Sequence, residues 1–170
     1  MSYRTGDRSD KSVISGLKSC PVLATLGDNA LKEIASFTAE KQFEAGTILF
    51  EEADSSEEFF IVQEGRVAIQ ASLPKSVTRA SRRITVDIAT SNEIVGWSAV
   101  VEPYTHLLTA VCLQDVRVLS INGRKLRQLI EKNHDIGYTV LKGVVRVAAS
   151  RLDDTRQLLI SERLLSVKPS

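Results

Sequence analysis

The chain has 170 residues, 43% of them hydrophobic, which suits a single domain with a real core. Lys and Arg number 22 against 21 Asp and Glu, a formal charge of +1, so no global field points to DNA, an anionic membrane or an acidic substrate. Two cysteines, Cys20 and Cys112, build neither a disulfide framework nor a thiolate cluster, and no apolar run nears the roughly 20 residues that span a bilayer. A soluble protein in a reducing, cytoplasmic setting is expected, and any charged partner must be recognised locally.

Residues 1–16 are polar, mixed in charge and without period, which predicts a mobile N-terminal tail. Next, Leu23, Leu26, Ala30, Leu31 and Ile34 recur at helical spacings, with Asp28 or Asn29 available as N-cap, and predict a short amphipathic helix from Asp28 to about Phe37. From Gln42 the period changes to alternation, punctuated by Gly46 and Gly65 where turns need positive φ. Short strands at short intervals indicate a sandwich or barrel. A basic link carries Lys75, Arg79, Arg82 and Arg83, which suit phosphate contacts or, more simply, a solvated hairpin tip.

After one more alternating strand, "GRKLRQLIEKN" predicts a helix. "HDIGYTVLKGVVRVAASRLDDTRQLLISERLL" predicts a longer one, interrupted near Gly137 and softened at Gly143. Along it Tyr138, Leu141, Val145, Ala148, Leu152, Thr155 and Leu159 step by three and four, a heptad seam that suits packing onto its own barrel or, as the favoured reading, a helix-to-helix homodimer. Small Ala148 and polar Thr155 weaken that seam, so barrel contacts are expected to add to it.

The segments "FEAGTILFEEAD", "FFIVQEGRVAI", "EIVGWSAVVEPYTHLLTAV" and "RQLIEKNHDI", in this order, resemble the cyclic-nucleotide-binding domain of the bacterial catabolite activator and fumarate-nitrate regulator family. The resemblance covers roughly residues 17–165. It implies a mainly β fold with helices: a double-stranded β-helix, or jelly roll, over 17–135, followed by a long dimerisation helix over 136–165. It also implies that the third segment is the phosphate-binding cassette. In the family this reads G-E-L-A-L and then R-x-A-T, the glutamate taking the ribose hydroxyl and the arginine the cyclic phosphate.

After Gly96, the glutamate position holds Trp97, followed by Ser98 and Ala99, and the arginine position holds His106, or Thr105 with a one-residue slip. Imidazole, with a reference pKa near 6.5, is mostly neutral at pH 7 and lacks the bidentate fork of a guanidinium. Losing one charge-assisted contact costs on the order of 1.5–3 kcal/mol, and losing both weakens binding about a hundredfold to ten-thousandfold. Binding of cyclic AMP or cyclic GMP in the usual way is therefore not expected.

Trp97, Tyr104 and His106 instead suggest an aromatic rim for a planar or apolar ligand, with Trp97 equally able to plug the pocket. Ser98 serves as a ligand donor or a cap. Thr109 is a ligand group or a plain strand residue. Thr155 meets the ligand only if "RLDDT" is aligned with the family's arginine-leucine pair.

The expected function is a stand-alone regulatory or sensory module, a homodimer binding an unidentified, nucleotide-like small molecule and acting through a protein partner. The family's helix-turn-helix output needs a further domain, and the given sequence stops at Ser170, so direct DNA binding is not expected. The alternative is a ligand-free dimerisation or docking unit with a vestigial pocket. Neither a metal nor another cofactor is expected, since His106 and His134 are the only histidines and His134 reads as part of a helix start. No nucleophile elbow, phosphate loop or carboxylate pair indicates an enzyme.

Overall fold

The computed structural model describes residues 6–73 and 82–166. Among the described residues eight strands form two four-stranded antiparallel sheets. In the first, β1 (Thr38–Phe43), β8 (Val116–Asn122), β3 (Glu58–Glu64) and β6 (Ile94–Val95) lie side by side in that order. In the second the order is β2 (Ile48–Phe50), β7 (Thr109–Cys112), β4 (Val67–Ser72) and β5 (Arg83–Ala89). This is the jelly roll that the resemblance implied, within the sandwich or barrel class that the strand spacing indicated. Gly46 and Gly65 carry the expected positive φ, at 84° and 93°.

The run Phe59–Val62 is apolar without interruption because β3 is covered on both faces. Phe60 and Val62 join Val67, Val95, Ala110 and Val118 between the sheets. Phe59 and Ile61 point the other way, with Leu119 and Ile121, into a second cluster roofed by helices. Those helices are α1 (Gly6–Ser19), α2 (Asp28–Ala35), α3 (Gly123–Lys132) and α4 (His134–Ser166).

Three local expectations are corrected. The polar segment 1–16 is helical from Gly6 onwards, residues 1–5 lying outside the described residues. Val13 and Leu17, one turn apart, are buried in the helical cluster, and Gly16 lies so close to Gln63 and Leu119 that a Cβ there would meet Gln63 Oε1 at 2.5 Å. So few apolar residues escaped notice because a long polar face carries most of that sequence. The N-cap of α2 is Gly27, without a side-chain bond, while Asp28 sits in the first turn and pairs with Lys18 at 2.8 Å.

The third correction concerns α4, which runs unbroken through both glycines. A Cβ on Gly137 would meet the Ile130 carbonyl at 2.7 Å, and one on Gly143 would meet Val22 Cα at 2.8 Å. Both glycines therefore serve close helix packing rather than breakage. Asn133 caps the start, its Oδ1 accepting from Ile136 N at 3.2 Å. The buried side of α4 is Ile136, Val140 and Val144. The predicted seam lies on another side and is open to solvent: Tyr138 is 67% exposed, Val145 64% and Leu152 72%. Lys75 and Arg79 lie outside the described residues, and Arg83 is paired with Glu51. No helix among the described residues is long and apolar enough to cross a membrane.

Candidate ligand pocket

Strand β6 leads directly into the pocket. At its end Gly96 turns left-handed, with φ 76°, and a Cβ there would lie 3.0 Å from the Glu58 carbonyl and 3.3 Å from the Phe50 ring. Conformation and space both demand glycine. One 3-10 turn, Trp97–Val100, follows. Its Ala99 and Val100 are buried among the helices, which leaves Trp97 and Ser98 half-buried at the cavity.

Arg127 of α3 secures this turn by donating from Nη1 to the Ala99 carbonyl at 2.7 Å. Its guanidinium also lies 4.4 Å from the Tyr104 ring centroid. Beyond Tyr104 the chain pairs with residues 53–56: Ser56 N donates to the Tyr104 carbonyl and Ala53 N to the His106 carbonyl, both at 2.8 Å, and His106 N donates to the Asp54 carbonyl at 2.9 Å. That short ladder fixes His106.

His106 is 4% exposed and its imidazole is stacked on Phe50, with centroids 3.6 Å apart and planes 8° from parallel. Burial lowers its pKa against a weaker opposing pull from Asp54, so the ring is neutral at pH 7. Among the described residues no side-chain hydrogen bond reaches it.

The stacked pair walls a cavity of about 260 Å³ between the barrel and α4. Gly96, Trp97 and Ser98 line it from the turn, Val86 and Asp87 from β5, and Ala148, Arg151, Leu152 and Thr155 from α4. Trp97 therefore forms wall rather than plug. The same stack borders a second cavity of about 210 Å³ with Asp54, Glu57 and Glu58 around it.

Ala99, Tyr104, Thr105 and Thr109 do not line the main cavity. Tyr104 is turned to Arg127 and Thr105 bridges Ser55, while buried Thr109 accepts from Glu52 N at 3.0 Å. Thr155 borders the cavity, with its hydroxyl donating to the Arg151 carbonyl at 2.8 Å.

The group that sequence reasoning missed is Arg151. Its Nε lies 2.7 Å from Asp87 Oδ2, and its Nη2 donates to the Ile94 carbonyl at 2.9 Å. Asp87 Oδ1 takes the Ile88 N–H at 2.8 Å, so this carboxylate is occupied on both oxygens. A cation thus stands in the pocket already neutralised, bracing α4 against β5 and β6. The signal lay in the stripe Ile136, Val140, Val144, Val147: four residues further, where another apolar residue is due, stands Arg151. A charged residue continuing a buried stripe needs a partner. Among the described residues no group of three or more His, Cys, Asp or Glu is placed to hold a metal ion. Burial pushes the Cys20 thiol up to about 11 and raises that of Cys112, which leaves both poor nucleophiles.

A family model described as cyclic nucleotide-binding domain matches residues 40–133, more than half of the chain, and ends just before α4. The anaerobic regulatory protein of Bacillus subtilis (strain 168) is 27% identical over 110 residues, 64% of this chain and 44% of that protein. The chain thus spans less than half the length of this relative. A structure from Geobacter metallireducens GS-15, described as a cyclic nucleotide-binding protein, is 29% identical with a TM-score of 0.70, over 81% of this chain and 96% of the other. A cyclic nucleotide-binding domain from Methylobacillus flagellatus KT reaches a TM-score of 0.73 at 12% identity, over 96% and 87% of the two chains.

Proposed function

The chain belongs to the cyclic nucleotide-binding domain family, and from that premise we propose a regulatory module whose pocket takes a small molecule other than a conventionally held cyclic nucleotide. One observation carries the reading: among the described residues, the one cation lining the cavity, Arg151, is already neutralised by Asp87. Trp97 and neutral His106 stand where the family's glutamate and arginine are expected. A sugar phosphate entering here meets neither an acidic hook nor a free guanidinium. The cavity of about 260 Å³ favours a ligand-binding module over a docking unit with a filled pocket.

In this reading the module works as a homodimer through the exposed seam of α4, which also carries Ala148, Leu152 and Thr155 of the pocket wall. Ligand contact and dimer contact share one helix, so occupancy shifts the pose of the pair and is read by a partner protein. No catalytic role is assigned.

Calorimetric titration with cyclic AMP and cyclic GMP tests the central claim: no saturable heat is expected up to millimolar nucleotide, and micromolar affinity overturns it. Light scattering tests the assembly. Wild type should elute as a dimer and V145D/L152D as a monomer, whereas a monomeric wild type refutes the seam.

A further inference from the structure

The walls of the main cavity define the class of its ligand. Among the described residues its charged groups are Arg151 and Asp87, bonded to each other. Arg151 spends a second N–H on the Ile94 carbonyl, and Asp87 spends its second oxygen on the Ile88 N–H. An anion entering the cavity finds, among the described residues, no cation that is not already paired; if it draws Arg151 to itself, Asp87 is left half-buried and alone. A cation meets the same obstacle with the sign reversed. The wall favours an uncharged guest.

An independent observation points to a group with which that guest can bond. His106 is 4% exposed and has no side-chain hydrogen bond among the described residues, yet a neutral imidazole carries one donor and one acceptor. Its ring nitrogens are not among the fully buried side-chain atoms left without a partner, so they open onto the space that His106 borders, the main cavity and the smaller acidic one. Shape supplies the third constraint. The Phe50–His106 pair, 8° from parallel, makes one wall flat, and Ile69, Val86, Leu108 and Leu152 make much of the rest apolar. An apolar cavity of about 150 Å³ accepts benzene. One of about 260 Å³ has room for a second fused ring.

We propose that the pocket binds an uncharged, planar, two-ring aromatic molecule with one hydrogen-bonding group directed at His106. This rests on the reading of the pocket as a ligand site. Selectivity comes from the closed Arg151–Asp87 pair, which excludes charge, and from the imidazole, which demands one polar atom on the ring.

The test uses the full chain and three probes of one ring system: indole, indene, which lacks the N–H, and indole-3-carboxylate, which adds a charge. Calorimetry and thermal shift should show indole binding three- to tenfold more tightly than indene, the range of one hydrogen bond. The carboxylate should bind at least tenfold more weakly than indole. In His106→Phe, which keeps the stack on Phe50, the preference for indole over indene should vanish. Ala148→Phe should fill the cavity and abolish binding of all three. Tighter binding of the carboxylate, or equal binding of indole and indene, overturns the proposed class while leaving the pocket a ligand site. Silence of the wild type towards every probe, or binding that survives Ala148→Phe, overturns the pocket reading as well.

Discussion

On the proposed reading, restoring the family's two polar groups should create a nucleotide site. In the variant W97E/H106R, position 106 places a guanidinium where the side chain is 4% exposed and stacked on Phe50, with the Asp54 carboxylate the acidic group that acts on it. Without ligand that buried, incompletely paired cation should cost about 3 kcal/mol. For a chain of this size, about 2–4 °C per kcal/mol turns this into a fall in Tm of roughly 6–12 °C. Cyclic AMP then supplies the missing partners. Two charge-assisted contacts at about 1.5–3 kcal/mol each should tighten binding a hundredfold to ten-thousandfold over wild type and recover most of the lost Tm. Differential scanning fluorimetry with and without millimolar nucleotide, followed by calorimetry, reads both quantities. If wild type binds cyclic AMP within tenfold of the variant, positions 97 and 106 do not decide nucleotide binding. If the destabilised variant gains nothing from the nucleotide, those side chains do not face its ribose and phosphate.

Gly143→Ala gains about 1 kcal/mol of helix propensity and loses about 1–3 kcal/mol by forcing α4 off Val22, so thermal denaturation should show a lower Tm; a rise would refute the close contact. Arg127→Met removes the bond to the Ala99 carbonyl and the stack on Tyr104, which should cost about 1–3 kcal/mol. Because Trp97 is the single tryptophan, its emission should shift to the red in that variant, and an unchanged spectrum would mean that Arg127 does not secure the turn. Burial lowers the folded-state pKa of His106 below its unfolded value near 6.5, so the unfolded chain takes up the extra proton. The stability tied to neutral His106 is whole above about pH 6.5 and declines as pH falls towards the folded pKa, by at most about 1.4 kcal/mol per unit. Denaturant titrations at pH 7.5 and 5.5 should show this loss in wild type and not in H106F, and an equal loss in both would assign it elsewhere. Glu58 does not confound that window. Burial pushes its pKa up, but bonds from Lys41 and Ser120 outweigh this and hold it below the usual carboxylate range.

The pocket was legible to different depths along the chain. Gly96 marked its turn, and Trp97 and His106, set against the family's cassette by resemblance, indicated that the usual charges were replaced. The orientation of Tyr104 was not legible, because the rim position it was given competes with Arg127, which stands 23 residues later in sequence and arrives on α3. Thr109 looked equivalent to other strand residues until β7 placed its hydroxyl under Glu52 N.

Periodicity in the sequence indicated a β sandwich or barrel and a long helix with an apolar seam, and the resemblance of its segments to a known family added the jelly roll and a cassette without its acid and its arginine. These are local properties, written in spacings of two, three and four and in the charge each side chain can carry. Only the tertiary structure decided that polar residues 6–16 are helical, that Gly137 and Gly143 are points of contact, and that Arg151 enters the pocket already closed by Asp87. Each of these depends on which surface meets which across the fold, and burial and pairing between residues far apart in the chain leave no period behind.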